Sequence, residues 1–482
     1  MNRQEELLKE IFPRDWKNPK PAELYDLVVI GAGPGGMTAA SLAAGYHKRV
    51  ALVEKEHMGG ECLSYGCIPS KAMLRSSRAA DEMRNGKEFG IECSGKVSVD
   101  FSAVMDRVRR LRNAVSKHDS PSLFQQMGID LFLGDGHFTA PDRLEVSGYS
   151  LHFKKAILAT GTLPLQLNVP GLKEAGYLTN QTVFELTHLP KRLAVFGAGA
   201  MGCELAQAFS RFGSQVMMIT HGSRILSHED ATAAERLAKQ FEKEGIQILT
   251  NSKIARIETK GKEKIIHIEG RSPIHADEIL VALGRLPQVQ GFGLEKANVS
   301  ADPKNGIAVN DFLQTSNPNI YSIGDMSYKF THVSTEHAHL AVQNIFGSGN
   351  GRKSTLAVPW CTFTDPEIAH VGMDENEAAA KGIPVSKIQF EMADVPRAIL
   401  DGDTVGFCKL FVREGTDQIL GATLMSKHAG EMISELSVAI ANQIGLTGLT
   451  RAIHCFPTQA EVFRMAAAAL LKKRTLNHKK SA

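Results

Sequence analysis

The sequence has few aromatic residues and little net charge. Aromatic side chains make up 6% of its 482 residues, and two residues are tryptophan. The formal net charge is +3 at pH 7, which is too small for the broad basic surface of a nucleic-acid-binding protein. The basic stretch from Lys472 to Lys480 is predicted to be solvated. We therefore expect no nucleic-acid partner.

Long apolar runs are also lacking. No run reaches the roughly 18 to 20 apolar residues that cross a bilayer. The segment from Met1 to Lys20 is charged where a secretory signal would be apolar, and residues 1–22 are predicted to form a polar extension. The sequence thus predicts no membrane span and a cytoplasmic location.

Cysteine is scarce and unevenly spaced. The seven cysteines are Cys62, Cys67, Cys93, Cys203, Cys361, Cys408 and Cys455. An odd, scattered set is typical of a reducing compartment rather than of a secreted disulfide framework. Only Cys62 and Cys67 form a recognisable pair.

Glycine is abundant, and it marks a dinucleotide-binding βαβ unit near the N-terminus. A predicted buried strand, residues 25–30, leads into a glycine-rich loop, and a second strand, residues 50–54, ends at Glu54. The loop glycines, which permit a tight turn, approach of a pyrophosphate and close helix–strand packing, are Gly31, Gly33 and Gly36. The Glu54 carboxylate is placed to accept hydrogen bonds from a ribose.

The same pattern returns later in the chain. A strand at 193–196 leads into a second glycine loop, and a further strand follows at 216–219. The glycines of this loop are Gly197, Gly199 and Gly202. Two such loops, each framed by strand and helix, indicate two separate dinucleotide sites.

The second unit differs from the first where its second strand ends. Thr220 stands there instead of an acid, and His221 and Arg224 follow. A carboxylate would favour a free ribose 2′-hydroxyl, whereas its absence beside basic groups favours a 2′-phosphate. The sequence therefore favours NADPH over NADH, with both possible.

The segment from Gly59 to Lys71 carries the paired cysteines. A dithiol this close to a bound redox cofactor can open and close as a disulfide while electrons pass through it. The run after Cys67 predicts a helix that begins at this cysteine, with Pro69 in its first turn. A helix start favours the thiolate, which is the reactive form of sulfur.

Together these motifs resemble the flavin-dependent pyridine nucleotide–disulfide oxidoreductases, which include dihydrolipoamide dehydrogenase, glutathione reductase and mercuric reductase. The further segments that carry the resemblance are Ala159-Thr160-Gly161, residues 281–287, residues 321–325, residues 363–367, and Pro457-Thr458 with Glu461. The resemblance implies an FAD-dependent NAD(P)H oxidoreductase. It also implies a homodimer, in which the C-terminal part of one subunit contributes to the active site of the other.

The implied fold is α/β, with two Rossmann-like dinucleotide-binding domains and a C-terminal α+β dimerisation domain. The FAD-binding domain is expected at 23–155 and 281–352, with the NAD(P)-binding domain at 156–280 between these two parts. The dimerisation domain is expected at 353–482.

The resemblance also assigns individual residues. Cys67 matches the cysteine that meets the flavin, and Cys62 matches the one that meets the substrate. Lys71 and Glu204 match a pair near the reactive edge of the flavin, where nicotinamide docks. The residues expected to bind FAD are Gly31, Gly33, Gly36, Glu54, Gly60, Thr160, Gly161 and Asp325. Those expected to bind NAD(P) are Gly197, Gly199, Gly202, Thr220, His221, Arg224 and Gly284. No metal site is expected, because the stretch of His332 to His337 would begin a helix against the flavin.

One position departs from the family pattern. Disulfide reductases of this family carry His-Pro-Thr followed by Glu, and that His is the acid–base. Here Phe456 precedes Pro457, while Glu461 is retained. His454 is the alternative acid–base, and on an extended segment it would point to the same side as Phe456. It is otherwise a structural histidine, and Cys455 is expected to be a packed thiol.

The electron acceptor is therefore left open. A disulfide-type or other small acceptor is the first interpretation. The alternatives are a dihydrolipoamide dehydrogenase-like enzyme acting on an unusual lipoyl substrate, and a mercuric reductase-like or quinone-reducing flavoprotein. The mercuric reductase activity relies on a C-terminal cysteine pair, and the tail from Arg474 to Ala482 has no cysteine.

Overall fold

The structure, a computed structural model, describes residues 3–92, 95–324, 330–347 and 349–481. Its helices in chain order are α1 (Arg3–Ile11), α2 (Pro34–Gly45), α3 (Gly60–Ser64), α4 (Cys67–Arg84), α5 (Phe101–Ser116), α6 (Pro121–Gln126), α7 (Leu172–Ala175), α8 (Asn180–Val183), α9 (Ala200–Phe212), α10 (Ala231–Lys243), α11 (Thr331–Phe346), α12 (Glu375–Ala380), α13 (Pro396–Asp401), α14 (Ala429–Ala441), α15 (Leu446–Arg451) and α16 (Glu461–Ser481).

The strands, again in chain order, are β1 (Tyr25–Ile30), β2 (Val50–Glu54), β3 (Asp130–Leu133), β4 (Gly136–Ala140), β5 (Arg143–Val146), β6 (Tyr149–Leu158), β7 (Thr162–Pro164), β8 (Arg192–Phe196), β9 (Gln215–Ile219), β10 (Gln247–Leu249), β11 (Ile254–Lys260), β12 (Glu263–Ile268), β13 (Ile274–Ala276), β14 (Glu278–Val281), β15 (Arg285–Pro287), β16 (Ala301–Asp302), β17 (Gly306–Ile307), β18 (Ile320–Ser322), β19 (Pro359–Thr362), β20 (Glu367–Gly372), β21 (Val385–Glu391), β22 (Phe407–Arg413) and β23 (Ile419–Ser426).

The chain divides into two compact units. The first unit comprises Met1–Pro190 and Glu278–Thr355, and the second comprises Lys191–Asp277 and Leu356–Ala482. Each unit thus draws on two separate stretches of the chain.

The first unit is built on a sheet with the order β3-β2-β1-β6-β5-β4, and β18 also pairs with β6. Strands β3, β2, β1, β6 and β18 run parallel. Strand β1 is almost wholly apolar because it lies in the middle of the sheet and is buried on both faces. Helix α2 packs on β1 and β2, and its small residues allow close contact with α11. The glycine loop therefore joins β1 to α2, as predicted.

The second unit contains a parallel sheet and two antiparallel ones. Strands β8, β9 and β10 pair in parallel, with α9 packed against β8 and β9. Strands β11, β12 and β13 form an antiparallel sheet. The C-terminal sheet is antiparallel with the order β19-β20-β23-β22-β21. Helix α14 covers β20 and β23, while α16 covers β21 and β22.

This architecture confirms the predicted fold class. Each unit has a parallel sheet whose first strand leads through a glycine loop into a helix, and the second unit adds the α+β sheet of its C-terminal part. Among the helices that the structure describes, none has the length and apolar character needed to cross a bilayer.

Candidate active site

The first glycine loop has the backbone geometry that a bound pyrophosphate requires. Gly31 has φ +101°, and a Cβ there would lie 2.4 Å from the Ala159 carbonyl oxygen. A Cβ on Gly36 would lie 1.8 Å from the Gly31 oxygen, so this glycine permits the helix to pack on the loop. A Cβ on Gly33 would meet nothing within 4 Å. The loop is therefore bare and accessible at Gly33, at the N-terminus of the 12-residue helix α2, where an anion is stabilised.

Glu54 fastens this loop to the end of β2. Its Oε2 accepts a hydrogen bond from Ala32 N at 2.6 Å, and its Oε1 accepts one from Glu56 N at 2.7 Å. Burial raises the pKa of Glu54, and the two amide hydrogen bonds oppose that rise. The carboxylate also lines the cavity described next. Its contact with a ribose stays a prediction.

A cavity in the first unit joins the glycine loop to the paired cysteines. Gly60, at the start of α3, has φ +56°, and a Cβ there would lie 2.8 Å from Gly33 Cα. The predicted residues that line this cavity are Gly31, Gly33, Glu54, Gly60, Cys62, Cys67, Thr160 and Gly161. Bare backbone at Gly33 and Gly161 leaves room for a cofactor, since no atom lies within 4 Å of a Cβ built on either. The site therefore fits an extended dinucleotide with its pyrophosphate at the glycine loop.

Cys62 and Cys67 lie together in this cavity. Cys62 is on α3, and Cys67 is the first residue of the 18-residue helix α4, where the sequence predicted a helix start. Both are thiols in this structure, and a hydrogen bond joins their side chains. That hydrogen bond first, and burial second, raise the pKa of the Cys62 thiol far above its usual range.

Thr331, which the sequence analysis did not single out, contacts both sulfurs. Its Oγ1 lies 3.5 Å from Cys67 Sγ, and its hydrogen bond to Cys62 lowers the pKa of that thiol. Thr331 is the first residue of α11 and comes from a part of the chain remote from the cysteines. No local motif indicates this contact.

Glu61 and Arg285 form an ion pair that the sequence analysis also missed. The Arg285 guanidinium donates to both carboxylate oxygens of Glu61, and Asn180 Nδ2 donates to Glu61 Oε1. Arg285 Nε donates to Thr162 Oγ1 at 2.5 Å, and its Nη2 donates to the Thr162 carbonyl at 2.9 Å. Both charged residues lie in motifs that the resemblance used, but spacing alone does not reveal their pairing.

Lys71 and Glu204 belong to different units. Lys71 is half-buried on α4, whereas Glu204 on α9 is 4% exposed and accepts a hydrogen bond from Phe363 N at 2.9 Å. Their pairing beside a nicotinamide stays a prediction. Asp325, expected to bind FAD, lies outside the described residues.

The second glycine loop repeats the geometry of the first. Gly197 has φ +108°, Gly202 is buried in α9, and a Cβ on Gly199 would meet nothing within 4 Å. Gly284, which is expected to contact NAD(P), lies in the first unit and has φ +112°. The loop after β9 contains Thr220, which hydrogen-bonds within the loop. Thr220 Oγ1 accepts a hydrogen bond from Gly222 N at 3.2 Å.

Arg224 is occupied by its own loop. Its guanidinium donates to four backbone carbonyls, those of Ile225, Leu226, Ser227 and Glu229. His221 is exposed. Of the two basic groups predicted to favour NADPH, His221 is thus the one that faces solvent, and the choice between NADPH and NADH stays a prediction.

The C-terminal segment differs from the expectation. His454 Nε2 lies 2.8 Å from Glu435 Oε1, and the His454 side chain is 8% exposed. Phe456 is 75% exposed, and the prediction that it shares a side with His454 stays a prediction. Cys455 is exposed rather than packed. The segment is not a strand: it bends at residues 456 and 457 and turns at residues 459 and 460.

Glu461 begins α16 and is 6% exposed. Its Oε2 and the Nδ1 of His454 are buried and have no hydrogen-bond partner among the residues that the structure describes. These atoms lie in the segment that the resemblance assigns to the active site of a partner subunit. Their catalytic role stays a prediction.

The histidines near α11 are used in packing. The rings of His332 and Phe330 stack with their centroids 5.5 Å apart. His337 Nδ1 accepts a hydrogen bond from Gly324 N at 3.4 Å. In the described part of the chain, no group of three or more His, Cys, Asp or Glu side chains is arranged to hold a metal ion.

Comparison with known proteins agrees with this site. The family model of pyridine nucleotide-disulphide oxidoreductases matches residues 25–344, and the model of their dimerisation domain matches residues 358–467. The chain belongs to the class I pyridine nucleotide-disulfide oxidoreductases. It is accordingly an oxidoreductase that uses FAD and NAD(P)H, and it carries a dimerisation domain.

Two relatives of similar identity are named for different reactions. The chain is 32% identical over 448 residues to a mercuric reductase of Lysinibacillus sphaericus, covering 92% of this chain and 82% of the relative. It is 34% identical over 467 residues to a dihydrolipoyl dehydrogenase of Chlamydia muridarum, covering 95% and 98%.

Two solved structures are similar over nearly the whole chain. The Cu(II) complex of the HOCl-induced flavoprotein disulfide reductase RclA from Escherichia coli has a TM-score of 0.83 and 25% identity, covering 93% of this chain and 100% of that chain. LpdA from Mycobacterium tuberculosis has a TM-score of 0.84 and 25% identity, covering 92% and 99%.

Proposed function

We propose that this enzyme passes electrons from NAD(P)H through FAD to a Cys62–Cys67 disulfide, and on to a disulfide-type or other small acceptor. The observation that carries the proposal is the hydrogen-bonded dithiol in the same cavity as the first glycine loop. Bound FAD would supply two-electron chemistry between a nicotinamide and the disulfide, and cavity residues such as Gly33, Gly60 and Thr160 would hold it. The protein's part is to place the two sulfurs and to decide where the proton resides.

Reduction breaks the bond between the two sulfurs. It consumes two electrons and one proton, leaving a thiol and a thiolate. The raised pKa of Cys62 assigns the proton to that residue. Cys67, at the start of α4 and 3.5 Å from Thr331 Oγ1, then holds the negative charge, which the positive end of the helix stabilises.

Reduction of an acceptor disulfide would proceed by thiol–disulfide exchange. Cys62 loses its proton and attacks one acceptor sulfur, which releases the other sulfur as a thiolate. Cys67 then attacks Cys62, re-forms the internal disulfide and releases the second acceptor thiolate. The two released thiolates take up the proton from Cys62 and one from solvent. An acid–base group near Cys62 would speed both transfers.

A second candidate function is reduction of a metal ion or a quinone. Phe456 stands where the family acid–base is expected, and His454 is buried against Glu435. A metal cation bound to both sulfurs displaces the proton itself, so it needs no imidazole. The RclA relative was solved as a Cu(II) complex, and other relatives are mercuric reductases. Two Cu(II) ions would each take one electron while the Cys62 thiol and the Cys67 thiolate become a disulfide and release one proton.

The first experiment is an anaerobic titration of the purified flavoprotein with NADPH and with NADH. We expect a long-wavelength thiolate–flavin band in the wild type after two-electron reduction. Cys62→Ser should show this band before reduction and lose it on two-electron reduction, because it has no disulfide and the electrons stay on the flavin, whereas Cys67→Ser should show no such band. Reduction at a lower concentration of NADPH than of NADH would support the predicted preference for NADPH. A protein without flavin, or full acceptor turnover in both cysteine variants, would refute the proposal.

The second experiment identifies the acceptor. Lipoamide, glutathione disulfide, Hg(II), Cu(II) and a quinone are compared with the wild type and Phe456→His. If the missing acid–base limits disulfide exchange, Phe456→His should raise disulfide turnover and leave Cu(II) turnover unchanged. Lipoamide turnover that is unchanged in His454→Ala would remove the interpretation in which His454 replaces the lost base.

We also propose that the enzyme is a cytoplasmic homodimer. The dimerisation domain supports the assembly, and the exposed Ile453 and Phe456 side chains lie on the segment expected to enter the partner's site. Light scattering of the purified protein tests it, and a monomer at micromolar concentration would contradict it.

A further inference from the structure

Glu61 places a carboxylate beside the part of the cavity where the FAD pyrophosphate is expected. Its neighbour Gly60 lies against Gly33, the bare glycine of the phosphate loop, since a Cβ on Gly60 would lie 2.8 Å from Gly33 Cα. Glu61 and Gly33 both line the cavity. A diphosphate carries negative charge, so an uncompensated carboxylate here would repel it.

Arg285 supplies the compensating charge. Its guanidinium donates to both oxygens of Glu61, and Asn180 donates to one of them as well. The side chains of Arg285 and Glu61 are 24% and 27% exposed, so water screens the pair only weakly. Two hydrogen bonds to Thr162 fix the guanidinium in the β7–β15 ribbon.

We propose that Arg285 is a positioning residue for flavin retention, because it cancels the charge of Glu61 at the pyrophosphate end of the cavity. Removing Arg285 leaves a partly buried carboxylate without its partner, facing an anionic ligand. Removing both charges leaves this part of the cavity lining without net charge, as in the wild type. The inference rests on the FAD binding that family membership establishes, and it does not depend on which acceptor is reduced.

A purely structural ion pair would behave differently. If Arg285 and Glu61 only held α3 to the β7–β15 ribbon, loss of either partner would weaken FAD binding, and loss of both would weaken it at least as much. The charge argument predicts that Arg285→Gln weakens FAD binding and that Glu61→Gln does not. The pattern of a double-mutant cycle therefore separates the two explanations.

The test uses Arg285→Gln, Glu61→Gln, the double variant, and Arg285→Lys as the charge-conserving control. FAD is removed and the dissociation constant of the apoprotein for FAD is measured by flavin fluorescence. Arg285→Gln should bind FAD roughly tenfold more weakly or worse, which corresponds to about 1.4 kcal/mol. Glu61→Gln should bind it as tightly as the wild type or more tightly. The double variant should recover most of the loss, and Arg285→Lys should retain most of the affinity.

Wild-type affinity in Arg285→Gln, or a double variant no better than Arg285→Gln, would overturn the inference. Circular dichroism of the apoproteins shows whether each variant folds. If Arg285→Gln does not fold, Glu61→Gln decides the question alone, because weaker FAD binding in that variant contradicts the charge argument. A wild-type protein that takes up no FAD would instead refute the proposed function.

Discussion

Lowering the pH should reduce the free energy of unfolding of this protein through His337, a buried histidine in α11. Gly324 N donates a hydrogen bond to His337 Nδ1, so this nitrogen must keep its lone pair. His337 is 2% exposed, and burial, reinforced by the charge of Lys353, lowers the pKa of His337 from 6.5 to about 4. The imidazole of the folded protein is therefore neutral throughout the range above pH 5.

The sign and size of the effect follow from linkage. Between pH 6.5 and pH 4 the unfolded chain binds a proton at His337 that the folded chain does not bind. The free energy of unfolding therefore falls as the pH falls through this window, by up to about 1.4 kcal/mol per pH unit. The loss amounts to roughly 2 kcal/mol at pH 5 and about 3 kcal/mol at pH 4, and it falls to about 0.1 kcal/mol or less by pH 7.5.

The assay compares urea unfolding of the wild type and His337→Gln at several pH values between 5 and 7.5. Glutamine can still accept from Gly324 N, but it does not titrate. Every other titrating group is common to both proteins, so the difference between the two curves isolates His337. We expect the wild type to lose roughly 2 kcal/mol more than the variant on going to pH 5. Parallel curves would refute the reasoning.

Three further predictions concern other parts of the molecule. Thr331→Val should move the formation of the thiolate–flavin band to higher pH, because the Thr331 hydroxyl lies 3.5 Å from Cys67 Sγ and can donate a hydrogen bond to the Cys67 thiolate. Thr331→Ser should leave the pH profile unchanged, and equal profiles for all three proteins would contradict this. Gly36→Ala should lower the free energy of unfolding by about 3 kcal/mol or more, because the added Cβ would meet the Gly31 oxygen. Gly33→Ala, whose Cβ would meet nothing, should fold normally but bind FAD more weakly. Equal stability of the two variants would count against the packing argument. Arg211→Met should destabilise the second unit by about 3 to 5 kcal/mol, because the 4% exposed Arg211 side chain forms ion pairs with Glu244 and Asp365 and its loss leaves both carboxylates without this partner. Unchanged urea unfolding would show that these ion pairs contribute little to stability.

Much of the fold could be predicted because its signals are local. Strand β1 is a short apolar run followed at once by glycine, and the structure has it at the predicted residues 25–30. The helix start at Cys67 was also predicted, since Pro69 suits a first turn and good helix formers follow it. In both cases the residues that fix the backbone are neighbours in the sequence.

The side-chain contacts of the site could not be predicted in the same way. Glu61 meets Arg285 only because β7 and β15 pair, and Thr331 reaches the sulfurs only because α11 packs on α2. The contact of His454 with Glu435 was not predicted, because the alternation rule used for this segment applies to strands and the segment is not one. Arg224 likewise donates hydrogen bonds to backbone carbonyls of its own loop, and these contacts depend on the path of the loop, which the sequence does not reveal.

The choice of acceptor reduces to the fate of one proton. Under the proposed function, that proton is on Cys62, which the family resemblance assigns to meet the acceptor, because the hydrogen bond with Cys67 raises the pKa of the Cys62 thiol. A disulfide acceptor reacts only after this proton has been removed, so its rate depends on a base that Phe456 does not supply. A soft metal cation instead lowers the pKa of the thiol that it binds and releases the proton directly. We therefore infer that disulfide reduction, if it is the physiological reaction, should rise more steeply with pH than Cu(II) reduction by the same enzyme, and that equal pH profiles would place the acid–base group somewhere other than the C-terminal segment.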